Sequence, residues 1–229
     1  PTRYPKATYA AMISYLDYQI GELVKQLKAK GLYDNTIIMV TSDNGPTHNS
    51  YTSTSWFDCA APFRSDRGYT KRSLHEGGIR VPFIAWWPGQ VEAGSVNDHQ
   101  LAFYDLMPTF CDIAGIDNYV ERYTNKELEV DYFDGLSFAP TLLGEGEQEA
   151  HEFLYWEFHE TNMMALRMGN WKLVVQGGTC KLYDLVTDLH EDNNLASKYP
   201  DVVKKMKEIL LREHTPSNIS QFNSITLPK

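Results

Sequence analysis

The sequence predicts an α/β fold: part of a mixed sheet sandwiched by helices, with a small antiparallel sheet and a terminal helix at its C-terminal end. Three features predict it. A long helix-period segment feeds a short apolar run, a second apolar run follows a Gly-rich turn, and several short strand-like runs cluster beyond residue 151. Between 7 and 30, Ala10, Ile13, Leu16, Ile20, Leu23, Val24 and Leu27 recur at three- and four-residue steps, the period of an amphipathic helix, and Gly31 follows as a left-handed cap. The Asp34-Asn35 turn leads into Thr36-Ile37-Ile38-Met39-Val40-Thr41, which reads as a buried strand. Residues 45–74 lack sustained periodicity, and a loop of that length inside a compact domain is usually functional or disordered. Ile79 to Trp87 reads as a second buried strand, with Pro82 marking its start or a bulge.

Further on, 101–114 carries Leu101, Tyr104, Leu106, Phe110 and Ile113 on one side of a helix that Gly115 caps. Residues 116–150 read mostly as polar loop. The composition then changes, because 152–158, 163–168, 171–175 and 181–185 are short strand-like runs separated by Gly-Asn, Gly-Gly and Thr-Asp turns. Residues 198–213 close the pattern as an amphipathic helix carrying Val202, Val203, Met206, Ile209 and Leu210. The expected organisation is a catalytic-layer portion over 1–150 and an antiparallel-sheet subdomain over 151–229. Two central strands do not make a doubly wound sheet, since a typical sheet has about five or six strands. The larger layer is therefore expected to be completed by sequence outside this chain.

Composition bounds the partners. At 229 residues, 42% hydrophobic and 22% charged, the chain has ordinary globular composition. A formal net charge of -9 argues against general binding of a nucleic-acid backbone, so a polyanionic substrate would need a local basic pocket. No apolar run approaches the roughly 20 residues that span a bilayer. Cys59, Cys111 and Cys180 are too few and too widely spaced for a zinc knuckle or a disulfide framework, although one disulfide stays open. The start, Pro1-Thr2-Arg3, has no initiator Met and reads as a cut.

The chemistry concentrates where the first strand ends, at Ser42-Asp43-Asn44-Gly45-Pro46, and where the second begins, at Lys71 and His75-Glu76-Gly77-Gly78-Ile79-Arg80-Val81-Pro82. Ligands bind open α/β sheets at the carboxyl ends of strands, and two adjacent hard oxygen donors suit calcium or magnesium. By itself Asp-Asn-Gly is also a common tight turn, and Lys71 an ordinary surface cation. Taken together, these segments resemble the C-terminal half of type I sulfatases, the formylglycine-dependent members of the alkaline phosphatase superfamily. The resemblance implies an alkaline-phosphatase-like fold and hydrolysis of a sulfate ester of a carbohydrate or aryl alcohol. It implies Ca2+ bound by Asp43 and Asn44, and Lys71 contacting a sulfate oxygen, where an ammonium neutralises charge that gathers on the leaving group. His48, His75 and His159 are candidate substrate contacts, with Trp156, Glu160 and Arg167 grouped near His159 as a possible sugar grip.

In that family the nucleophile is a formylglycine made in a C-x-P-x-R motif. Cys59-Ala60-Ala61-Pro62-Phe63-Arg64 has one residue too many between Cys and Pro, so the resemblance places the formylglycine and the remaining acidic metal ligands in an N-terminal half upstream of Pro1. It also implies a periplasmic or secreted setting. The alternatives are a phosphatase, phosphodiesterase or phosphonate hydrolase of the same superfamily, and a non-catalytic binding module on the same fold.

Overall fold

The computed structural model describes residues 3–49, 52–117, 119 and 134–228. Helix α1 (Pro5–Ala29) leads through a 3-10 turn to strand β1 (Ile38–Thr41), then short helices α2 (Thr54–Phe57) and α3 (Glu76–Ile79), strand β2 (Phe83–Trp86), and helices α4 (Leu106–Ile113) and α5 (Ala139–Leu143). Strands β3 (Leu154–Phe158), β4 (Met163–Met168), β5 (Trp171–Gln176) and β6 (Thr179–Asp184) follow, and helix α6 (Pro200–Glu213) precedes the tail. β1 pairs with β2, and β3 to β6 form a four-stranded antiparallel sheet in sequence order.

Two compact units divide these elements. One contains Pro1–Lys25, Val40–Phe83 and Phe153–Lys229; the other contains Gln26–Met39 and Ile84–Glu152. The composition change at 151 thus falls beside a unit boundary, while 40–83, with the motif residues, groups with the antiparallel sheet.

Period-two alternation gives that sheet two working faces. Met164, Leu166, Leu173, Val175 and Leu182 point to one face, where Met206, Ile209 and Leu210 of α6 close a core. On the other face Met163, Ala165, Val174, Tyr183 and Leu185 pack with Leu74 and Ile79 from the segment around α3. Arg167 and Lys172 are directly opposed in the β4–β5 register and lie on this second face. Both turn toward α3. Lys172 Nζ donates to Glu76 Oε1 at 2.7 Å with both residues almost fully buried, and Arg167 and Arg80 each place Nη1 3.5 Å from Glu76 Oε2.

Several boundaries differ from the sequence expectation for local reasons. β1 starts at Ile38 because Thr36 still belongs to the preceding turn, its hydroxyl donating to Leu32 O at 2.7 Å. The run from Ile79 splits: Glu76–Ile79 is a helical turn closed by Arg80 N donating to Glu76 O at 2.8 Å, and β2 begins only at Phe83, after the Pro82 ring that lacks an N–H. β1 and β2 are partly covered rather than buried. The 101–114 helix begins as a 3-10 turn at Phe103, pinned by Asp105, whose carboxylate accepts from Ala102 N. In 116–150, residues 118 and 120–133 lie outside the described residues, and α5 is a helix where loop is expected. All three cysteines are free thiols. Among the described residues no helix is long and apolar enough to cross a membrane. No residue of α1 is buried, and Met12, Ile13, Leu16 and Leu23 of its apolar side are exposed.

The Glu76–Lys172 pair yields a stability test. Replacing Lys172 alone by Met strands a buried carboxylate and is expected to cost about 3–5 kcal/mol, whereas Lys172→Met with Glu76→Gln is expected to recover most of that loss. Urea denaturation of the two variants reads the difference, and equal losses would remove the pair as the anchor of α3.

Candidate functional site

The segment that carries the motif residues is held by close backbone contact. Gly45 N donates to Gly78 O at 2.9 Å, and a Cβ on Gly45 would sit 2.0 Å from Gly77 O. Gly78 is as tightly placed, since a Cβ there would lie 2.2 Å from Ser73 O. No side chain fits at either place, so the Asp43-Asn44-Gly45 turn lies directly on α3. Lys71 N donates to Pro46 O at 3.0 Å, which ties the lysine to the same turn. The structure therefore brings Asp43, Asn44 and Lys71 into one segment cluster.

Asp43 is exposed and its carboxylate has no protein partner among the described residues. Asn44 Nδ2 donates to Gly45 O at 3.0 Å, which turns Oδ1 away from the backbone and leaves its lone pairs available. Two neighbouring oxygens without partners suit a hard cation. Calcium takes about six to eight oxygen ligands, and no cluster of three or more His, Cys, Asp or Glu side chains among the described residues is arranged to hold a metal. The Asp43–Asn44 pair fits as one part of a donor set.

Lys71 and His48 line a cavity of about 410 Å³ together with Thr47, Arg72, Phe158 and Glu160. Lys71 Nζ has no partner among the described residues, whereas Arg72 is ion-paired with Glu160. His48 is oriented by a chain of hydrogen bonds. The buried Thr54 hydroxyl gives its single proton to Ser65 O at 2.6 Å, so it accepts from His48 Nδ1 at 2.9 Å. Nε2, on the opposite edge of the ring, is left for the cavity.

The other two histidines are placed differently. His75 is interior, with Nδ1 2.8 Å from Ser73 Oγ and its ring 4.4 Å from that of Tyr69. Burial, reinforced by Lys172, lowers its pKa to about 3, so the ring stays neutral and packs α3 rather than lining the cavity. His159 sets its ring edge-on to Phe222 at 4.8 Å, and its neighbour Glu160 reaches the cavity instead. Trp156 and Arg167 turn inward, the former under Lys172 at 4.9 Å and the latter toward Glu76. Arg72, on the cavity lining, and Thr54, bonded to His48, are neighbours of the candidate site that the sequence does not single out. A cation next to Lys71 was a visible signal for the first, while nothing local marks Thr54.

Comparison with known proteins shows the family. A family model described as Sulfatase matches residues 2–116, and one described as N-sulphoglucosamine sulphohydrolase, C-terminal, matches residues 66–215. The chain belongs to the sulfatase family. An uncharacterised sulfatase of Escherichia coli is 28% identical over 260 residues, covering 96% of this chain and 42% of that protein. An N-acetylgalactosamine-6-O-sulfatase of Bacteroides thetaiotaomicron is 29% identical over 222 residues, covering 89% of this chain and 41% of that protein. A solved structure titled as BT4656 in complex with its substrate D-glucosamine-2-N,6-O-disulfate aligns with a TM-score of 0.67 at 25% identity, covering 93% of this chain and 40% of that one. This sulfatase chain thus spans about two fifths of the length of the relatives it matches.

Behind the sulfatase motif, α3 is held by a second carboxylate. Glu191 Oε2 accepts from Glu76 N at 2.7 Å, while its buried Oε1 has no partner. Burial raises the Glu191 pKa from 4.5 to about 7, against the pull of Lys172 and the Glu76 N–H and with the push of the Glu76 and Asp188 carboxylates. The folded state therefore holds a proton that the unfolded chain releases. That contribution to stability is complete below pH about 4.5 and is lost as pH rises through about 7. Glu191→Gln keeps the acceptor and removes the titration, so its urea-unfolding free energy is expected to fall less than that of the parent between pH 5 and 8. Parallel profiles would contradict the assignment.

Proposed function

We propose that this chain supplies the C-terminal part of a sulfatase active site that hydrolyses a sulfate ester, with a sugar as the alcohol in preference to an aryl group. The observation that carries the reading is the unpartnered Lys71 ammonium on a cavity wall, bonded through its backbone to the turn that presents Asp43 and Asn44. In this reading the two oxygens bind Ca2+, which supplies positive charge for an ester oxygen. Lys71 holds a sulfate oxygen and stabilises charge developing toward the leaving group as the S–O bond breaks. The nucleophile comes from residues other than these 229, in keeping with the fraction of its relatives that the chain spans.

Support for a sugar comes from the cavity lining. Phe158 offers an apolar face to a pyranose ring, and Arg72, Glu160 and His48 Nε2 offer donors and acceptors to hydroxyls. The named activity of the Bacteroides relative and the sugar disulfate in the aligned complex point the same way. A periplasmic or secreted setting rests on the resemblance alone.

Turnover by the full-length protein tests the assignment. Asp43→Ala is expected to abolish sulfate-ester hydrolysis, and Lys71→Ala to lower kcat by about 100-fold or more while leaving the urea midpoint within the range of ordinary surface substitutions. Full activity in Asp43→Ala would sink the metal role, and a Lys71→Ala defect explained wholly by unfolding would sink the sulfate contact.

A further inference from the structure

The Arg72–Glu160 pair crosses the cavity wall from segments 88 positions apart in sequence, and both side chains keep substantial exposure. Its backbone supports are unusual for a surface ion pair. Arg72 has φ of 73°, a left-handed conformation that favours Gly and that a side chain adopts at a cost. A turn serving only to reverse the chain would take Gly there; Arg puts a guanidinium beside Lys71. On the other side, Glu160 sits in a one-turn 3-10 helix, His159–Thr161, that the C-terminal tail clamps. Ser224 Oγ donates to His159 O at 3.2 Å, Asn162 exchanges bonds with Thr226 at 2.9 and 2.6 Å, and Phe222 covers the His159 ring.

The charges on this wall follow from the pairing. Glu160 neutralises Arg72, leaving Lys71 as the one unpaired Lys or Arg on the lining among the described residues. One sulfate matches that lysine. A second anionic group reaching the Arg72 side of the cavity would have to displace Glu160 and leave a carboxylate beside it, a like-charge contact that a neutral hydroxyl does not create.

We propose that the Arg72–Glu160 pair is a specificity element that admits a singly sulfated, otherwise neutral sugar and disfavours a sugar bearing a second anionic group next to the ester. This rests on the sulfatase reading above. The pair contacts the part of the sugar that does not react: Arg72 donates to one hydroxyl and Glu160 accepts from its neighbour. The tail residues Phe222, Ser224 and Thr226 are positioning residues that hold Glu160 in place.

Competitive inhibition of 4-nitrophenyl sulfate hydrolysis by the full-length protein tests this, with methyl galactoside 6-sulfate and methyl galactoside 4,6-disulfate as the two inhibitors. The parent protein is expected to bind the monosulfate more tightly. Glu160→Gln frees the Arg72 charge and should shift the ratio of inhibition constants toward the disulfate by about fivefold. Arg72→Gln leaves Glu160 unpaired and should shift it the opposite way. Unchanged ratios in both variants, or shifts of the same sign, overturn the proposal while leaving the sulfatase reading intact. Failure of the monosulfate to inhibit a protein that still hydrolyses the aryl ester overturns it as well. No hydrolysis of either 4-nitrophenyl sulfate or methyl galactoside 6-sulfate, with calcium supplied, overturns the sulfatase reading itself and this proposal with it.

Discussion

The buried contact between Lys172 and Glu76 is the constraint from which the motif segment takes its position. Burial opposes ionisation of Glu76, but Lys172, with Arg167 and Arg80 beyond it, holds the carboxyl below its ordinary pKa. The ion pair lies on the face of the antiparallel sheet opposite α6 and fixes a helical turn of only four residues. A turn that short has little stability of its own. Its place is set by the sheet, by Glu191 on its first N–H, and by the apolar contacts of Leu74 and Ile79.

From that anchor the geometry is passed on by backbone. Gly45 lets the Asp43-Asn44-Gly45 turn rest against α3, Gly77 and Gly78 let the loop that carries Arg64, Tyr69, Thr70 and Ser73 close on the same turn of helix, and the bond from Gly45 N to Gly78 O fixes the contact. Lys71 then bonds the residue just past that turn. The two oxygen donors and the ammonium thus share a rigid support, as a site that must hold charges in fixed relation requires. The small sheet is in this sense part of the scaffold of the proposed site, although its strands contribute few side chains to the cavity.

Much of this was legible in the sequence. Asp43, Asn44, Lys71 and the Glu76-Gly77-Gly78 turn form a local pattern, and the four strands and α6 follow from period and turn residues. What was hidden is what opposes each face. Alternation puts Lys172 on the face shared with Val174, yet only the fold shows that Glu76, 96 positions away, meets it there. The same holds for Arg72 with Glu160, and for Thr54, whose effect on His48 depends on a carbonyl at Ser65. Strand ends shifted where a turn hydrogen bond or Pro82 overrode the apolar pattern. His75 and His159 carry the right chemistry at the right sequence distance, but neighbouring aromatic rings draw both away from the cavity lining.

The central claim is that this support presents Asp43 and Asn44 to a calcium ion beside Lys71. A long-wavelength anomalous diffraction map of crystals of the full-length protein grown with calcium tests it most directly. The arrangement predicts a peak about 2.3–2.6 Å from an Asp43 carboxylate oxygen and from Asn44 Oδ1. A bound calcium elsewhere, with both side chains uncoordinated, would contradict it.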